Sequence, residues 1–350
     1  MITLICSQIR DKMPDILLLQ DFEKYCAAYS GWKSKHGPVL FAPRKISSRL
    51  YTLIHKVSKP VLRMYKKKGA VISIGFPTSI YMHSKTFPYF TYKSDLRVLW
   101  SYDVWSPQFE KIEKLVRKSK INLLLLSSYQ ATEHFKNLYI PNCEVQWVPE
   151  SVNVHAYKHK PWYERNIDIL SFGRSYLTYH DAIIEGCEKN HINYRYQERD
   201  EKTDVAVHGL KRGLQFPDWE TFVDGLSDSK ICICFPRSVT HPKLAGYVST
   251  LTIRYLQAMA SKCLIIGSAP LDVIHLLDYN PVVEVDWNDP VAQIQSILHN
   301  PDKYNELIDK NYNTVCQLFH HDNAMRKIEL LINKKLAKTE IEILNTAVAV

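Results

Sequence analysis

The stretch SKICICFPRSVTHPKLAGYVSTLTIRYLQAMASKCLIIG, residues 229–267, decides the fold. Ile231 to Phe235 is a β-branched and apolar run, and Leu264 to Ile266 is a second. Between them a polar loop passes through Pro242, and residues from about Leu251 to Ser261 follow helical spacing. Strand, loop, helix and strand in that order make one turn of a parallel α/β sheet. Such sheets bind ligands outside the carboxyl ends of their strands, where a loop feeds a helix N-terminus with free N–H groups. Ser249, Thr250, Leu251 and Thr252 stand at that helix start. Their pattern suits an anionic guest such as a diphosphate, and equally suits plain capping, because Ser and Thr favour N-caps.

Three segments, in order, carry a resemblance to a known family. VSTLTIRYLQAMASK (248–262) resembles the donor-site segment of GT-B glycosyltransferases of the retaining family 4 type (glycosyl transferases group 1), which reads E-x7-E followed by Ala-Met-Ala. IDILSFGR (167–174) is similar to the first strand of that family's nucleotide-sugar domain, and EVQWVPESVNV (144–154) resembles its interdomain crossing. The resemblance implies an α/β protein of GT-B architecture, two Rossmann-like domains facing across a cleft. The activity it implies is transfer of a sugar from a nucleotide-diphosphate sugar to a hydroxyl of a glycan. Retention of configuration, no metal and no cofactor beyond the donor substrate are implied with it.

The motif is degenerate. Ser249 and Gln257 stand where the family has its two glutamates. By resemblance, position 257 holds the donor ribose, and a glutamine amide retains the capacity to bond a hydroxyl. Ser249 is too short to replace a glutamate. The alternative function is therefore a catalytically inactive GT-B-fold binding or partner protein. Gly173 and Arg174 would clamp the diphosphate, Arg being the residue for bidentate phosphate contacts. Where related enzymes add a Lys, this chain has His180, either a phosphate donor or an ordinary helix-start residue. Arg237, with His241 and Lys243, makes the loop before the donor helix basic, either for phosphate or as a solvated loop.

The 350 residues favour two domains over one, and 46% hydrophobic residues suffice for proper cores. Residues 1–152 read as an acceptor-side Rossmann-like domain, 163–325 as the nucleotide-sugar domain, and 326–350 as a C-terminal helix that crosses back. The polar, turn-forming segment 149–162 between the first two reads as the linker. Asp103, at the carboxyl end of the strand from Leu96 to Tyr102, is the acceptor-side candidate for binding hydroxyls, with helix capping as its rival. The catalytic residue is not assigned.

Charge is uneven. Residues 1–150 hold 23 Lys and Arg against 11 Asp and Glu, while the remaining 200 hold 22 against 25. No acid occurs between Glu23 and Asp95, an interval with 14 basic residues. Within it, Ile46, Leu50, Leu53, Ile54, Val57, Val61 and Met64 follow helical spacing, with Arg49, Lys56, Lys59, Arg63 and Lys66 on another side. Residues 44–68 are either a surface helix packed on the sheet or a basic amphipathic helix for an anionic membrane. The acceptor is then a glycan or a lipid-linked glycan, as in surface polysaccharide synthesis. A nucleic-acid partner is not expected, since no RNA or DNA motif is present.

No apolar run approaches bilayer length, and Arg10 and Asp11 come too early for a secretory signal, so the expected location is cytoplasmic with peripheral attachment to the inner membrane face. The eight cysteines lack a CxxC pair and read as buried free thiols. The D-x-D, GxGxxG, GxxxxGK[ST], GxSxG and HExxH patterns are all absent, which disfavours GT-A transferases, dinucleotide oxidoreductases, P-loop NTPases, α/β-hydrolases and zincins.

Overall fold

A computed structural model of the chain describes residues 1–6, 14–36, 53, 57, 61, 66–77, 93–196, 216 and 218–348. Two compact units are present, Met1–Pro149 with Ala324–Val350, and Glu150–Asn323. The segment 37–42, whose sequence predicts a short strand, and the segment 205–210, whose sequence suggests one wall of a nucleotide-base pocket, lie outside the described residues. So do most of the basic segment and of residues 77–92, an aromatic-rich stretch that the sequence predicts to be a loop.

The first unit is built on a parallel six-stranded sheet, order β2-β1-β3-β4-β5-β6. Its strands are β1 (Ile2–Cys6), β2 (Lys33–His36), β3 (Lys66–Gly75), β4 (Lys93–Ser101), β5 (Leu123–Leu126) and β6 (Glu144–Trp147). β5 is Leu at all four positions and buried throughout, as a parallel strand covered on both faces must be. β2 is too polar to announce itself, with Lys33, Ser34, Lys35 and His36, and tertiary pairing with β1 makes it a strand. The C-terminal helix His321–Val348 lays Met325, Ile328 and Ile332 into this core beside Leu4, Ile72 and Trp100. Trp32 Nε1 donates to Glu329 at 2.9 Å and Lys335 to Glu144 at 3.2 Å, fixing the same helix.

The second unit has a parallel five-stranded sheet, order β11-β10-β9-β7-β8. Its strands are β7 (Ile167–Ser171), β8 (Tyr194–Tyr196), β9 (Ser229–Cys234), β10 (Leu264–Gly267) and β11 (Val283–Glu284). From β7 the chain builds outward to β8 on one side, then returns to build β9, β10 and β11 on the other. The strand order thus reverses between β7 and β9, and a crevice opens at their carboxyl ends by topology alone.

Cys232 and Cys234 point to one face and join one core cluster, and the seven cysteines with described side chains are free thiols. Burial pushes the Cys234 thiol up to about 12. The segment read as a linker packs inside this unit, with Val152, Val154 and Tyr157 buried in its core. Apolar residues at alternate positions outweighed its turn-forming content. Val152 also bridges His320 in parallel, and Ser151 Oγ lies 2.9 Å from His321 Nδ1.

Candidate nucleotide-sugar site

β7 runs apolar to Ser171 and ends because Gly173 turns the chain at φ +71°, a left-handed conformation that suits glycine. Beyond it, helix Leu177–Lys189 begins. β9 ends at Cys234, and Phe235 and Pro236 lead into a helical turn, Arg237–Thr240, followed by a second, Pro242–Ala245. These turns were hidden in what reads as a simple polar loop. Gly173 and Arg174 therefore stand on one side of the switch point, and Arg237 on the other.

A side chain that sequence reasoning passed over joins the two. Arg254, 8% exposed, sits in the first turn of helix Ile253–Ala260. Its Nη1 donates to the carbonyls of Phe172 (3.3 Å) and Arg174 (2.9 Å), and its Nη2 to that of Phe235 (3.0 Å). One buried guanidinium thus clasps both loops of the crevice and leaves its charge beneath them. An arginine inside the apolar Ile-Arg-Tyr-Leu run was the available signal, since a charge there has to find several acceptors.

The helix start itself differs from expectation. The helix begins at Ile253, two residues later than its spacing suggests, and Thr252 at its N-cap makes no side-chain capping bond. Two buried acids from elsewhere take the donors in front of it. Asp272, 1% exposed, accepts from Thr250 Oγ1 (2.7 Å) and Leu251 N (3.1 Å). Glu150, 6% exposed and 103 residues away in sequence, accepts from Ile253 N at 2.8 Å. Ser249 Oγ accepts from Leu271 N at 3.2 Å. The expected row of free donors is accordingly largely satisfied inside the protein, and carboxylates already complement the positive end of the helix. The Thr252 hydroxyl remains buried with no hydrogen-bond partner.

The other candidates fall as follows. Gln257, 3% exposed, donates through its amide to Tyr157 Oη at 3.2 Å, which ties the helix to the crossing segment. His180 lies with Nδ1 2.9 Å from Tyr194 Oη and its ring against Tyr196, both on the edge strand β8. His241 Nδ1 lies 3.0 Å from Thr240 Oγ1, and Lys243 is exposed. Asp103 follows β4 in the first unit at φ +52°, a conformation Asp tolerates better than most residues. The N-cap position of the next element, the 3-10 turn Ser106–Gln108, is held by Trp105. Among the described residues no group of three or more His, Cys, Asp or Glu is placed to hold a metal ion.

No family model matches this chain, and no curated protein does. Solved structures do. The sucrose-phosphate synthase of Thermosynechococcus elongatus matches 96% of this chain and 99% of its own, at 14% identity and a TM-score of 0.61. HepE of Anabaena, in complex with UDP and glucose, matches 95% of this chain and 99% of its own, at 9% identity and a TM-score of 0.62. A glycosyltransferase of Rickettsia africae matches 96% and 90%, at 13% identity and a TM-score of 0.50. Two doubly wound parallel sheets, joined by a crossing at Glu150 and a C-terminal helix that packs in the first unit, complete the pattern. The chain has the GT-B glycosyltransferase fold.

Proposed function

We propose that the protein transfers a sugar, of the hexosyl type, from a nucleotide-diphosphate sugar to a hydroxyl of a glycan acceptor, with retention and without a metal. The observation that carries the proposal is the Arg254 clasp, which ties the loop of Gly173 and Arg174, through the Phe172 and Arg174 carbonyls, to the Phe235 carbonyl two residues before Arg237 at the topological switch point. Negative charge develops on the leaving diphosphate during transfer, and preorganised cations and dipoles act on that charge. Arg174 and Arg237 supply it from opposite loops, with the partnerless Thr252 hydroxyl as a further donor. HepE, of the same fold, holds UDP and glucose in its structure, which supports a nucleotide sugar as the donor class. Retention and metal independence rest on the family 4 resemblance.

Ser249, Thr250, Leu251, His180 and Gln257 have internal partners, so donor contacts through them require those bonds to be shared or exchanged. Asp103 is the proposed acceptor-side group. Leu53, Val57 and Val61 support peripheral membrane attachment and a lipid-linked acceptor. They are helical, four residues apart, and 58%, 73% and 59% exposed, so these three positions of the apolar stripe lie open. No helix among the described residues is long and apolar enough to cross a membrane.

A second reading, a GT-B-fold binding protein without transfer, is favoured by one observation: both motif positions are committed internally, Ser249 to Leu271 and Gln257 to Tyr157. The experiment is incubation with UDP-, GDP-, ADP- and CDP-sugars plus a membrane extract, following release of the nucleotide diphosphate. Release that falls with Arg174→Ala establishes transfer. Nucleotide binding without release, with every donor, establishes the second reading instead.

A further inference from the structure

Three loops at the carboxyl ends of the second sheet bring aromatic rings together. Tyr176 follows β7, two residues beyond Arg174; Phe235 follows β9, two residues before Arg237; Trp287 follows β11. β11, β9 and β7 hold the first, third and fourth places in the sheet, so these rings meet only because their loops converge. The Tyr176 ring lies 4.8 Å from that of Phe235 and 6.1 Å from that of Trp287, and the Tyr179 ring 5.4 Å and 5.9 Å from the same two. Phe235 and Tyr179 belong to the buried core and Tyr176 packs half-buried against it, but Trp287 is 52% exposed. Tryptophan is a well buried residue on average, and here half of it faces solvent although two tyrosine rings hold it. Tyr176 also stands at the N-cap of helix Leu177–Lys189 and supplies no capping bond, so capping does not account for it.

The planes of Tyr176 and Trp287 stand at 87° to each other. Two rings at right angles make a corner. A flat aromatic ring laid on one of them turns its edge to the face of the other, and both contacts are favourable aromatic pairings. A pyranose laid on one ring would press its equatorial hydroxyls against the other, where they lose water and gain no partner. The corner thus suits a planar heteroaromatic ring.

We propose that Tyr176 and Trp287 hold the base of the donor nucleotide in this corner, an inference that rests on the reading of the Arg174 and Arg237 loops as the diphosphate site. Continuity with those loops selects the occupant. Arg254 bonds the carbonyls of Arg174 and Phe235, so the clasp that sets the cationic loops also sets the main chain next to the aromatic rings. A nucleotide that lays its diphosphate on Arg174 carries its base one ribose further, toward side chains a few residues along the same loop. Stacking tolerates any base, because every base has a π face. The corner supplies affinity, and the choice among bases falls to other groups.

The test is calorimetric titration of the full chain with UDP, GDP, CDP and ADP and, separately, with inorganic pyrophosphate, which has the phosphates and no base. Trp287→Ala should weaken the tightest-binding nucleotide by roughly tenfold, the scale of one base stacked on an aromatic ring, and leave pyrophosphate affinity unchanged. Trp287→Phe keeps an aromatic face and should retain most of the nucleotide affinity. Unchanged pyrophosphate binding shows that the Trp287→Ala chain is folded. Arg174→Ala should weaken both ligands. A nucleotide affinity that Trp287→Ala leaves unchanged, or a loss equal for nucleotide and pyrophosphate, overturns the base site while the diphosphate site stands. Binding of neither ligand to the unchanged chain overturns the diphosphate reading and the base site with it. Binding of maltotriose that Trp287→Ala abolishes while nucleotide binding is spared would make the corner a sugar platform and overturn the proposal equally.

Discussion

Arg254 and Gly173 form one unit: the Arg254 Cδ lies 3.1 Å from where a Cβ on residue 173 would stand, and its guanidinium bonds the carbonyls on either side of that glycine. Glycine is needed there twice, for φ +71° and for the approach of the arginine stem. Gly173→Ala should cost about 1–2 kcal/mol from the left-handed backbone, and displacement of Arg254 adds to it. Thermal unfolding of the variant beside Gly31→Ala checks this. Gly31 has φ +62° but open space around it, so it carries the backbone cost without the contact.

Arg254→Ala should be the more damaging change. It leaves the Phe172, Arg174 and Phe235 carbonyls without the donors they now have, at about 1–3 kcal/mol for each group that finds no water. Arg254→Lys keeps the charge but not the planar fork, so it should recover part of the stability and little of the geometry. Urea unfolding, together with the affinity for a nucleoside diphosphate, separates the two effects.

Glu150 and Ile253 make a testable pair. Glu150→Ala removes an anion from the positive end of helix Ile253–Ala260 and frees its first N–H. Stability should fall by about 1–2 kcal/mol, as for a lost N-cap. Diphosphate affinity should rise by roughly fivefold, because a competing negative charge is gone. Calorimetric titration of nucleoside diphosphate into the two proteins measures the second effect. An unchanged affinity would place the diphosphate away from this helix end.

Much of the architecture was legible in the sequence because parallel strands buried on both faces read as continuous apolar runs, as at Leu123–Leu126 and Ile231–Cys234. β2 was not legible, since Lys33 to His36 pair with β1 for tertiary reasons that no local pattern records. That Arg174 and Arg237 follow the ends of β7 and β9 was legible from the apolar runs before them. Arg254 was missed because its acceptors lie 19 to 82 residues away. Glu150 escaped for the same reason, its partner being 103 residues on. Capping by local Ser and Thr is a sequence pattern; capping by a distant carboxylate is a property of the fold.

Acid should loosen the C-terminal helix in the first unit. Burial raises the Glu144 carboxyl, but hydrogen bonds from Gln146 and Lys335 outweigh it and hold the group below its ordinary 4.5. A carboxyl lowered on folding contributes stability above its unfolded value and loses it as pH falls through the folded one. The pair is partly exposed, so its share is about 1 kcal/mol or less. Glu144→Gln should cost that amount at neutral pH and nothing at about pH 3, measured by urea unfolding at each pH.

The central claim is that the crevice between β7 and β9 takes a nucleoside diphosphate. The most direct test is thermal stabilisation of the purified protein by UDP, GDP, CDP and ADP, in the unchanged chain and in Arg174→Ala and Arg237→Ala. Ligand at a hundred times its Kd should add about 2.7 kcal/mol to the native state. The account predicts that one nucleotide raises the melting temperature and that either substitution removes most of the rise. Stabilisation by none of the four, or a rise that survives both substitutions, would contradict it.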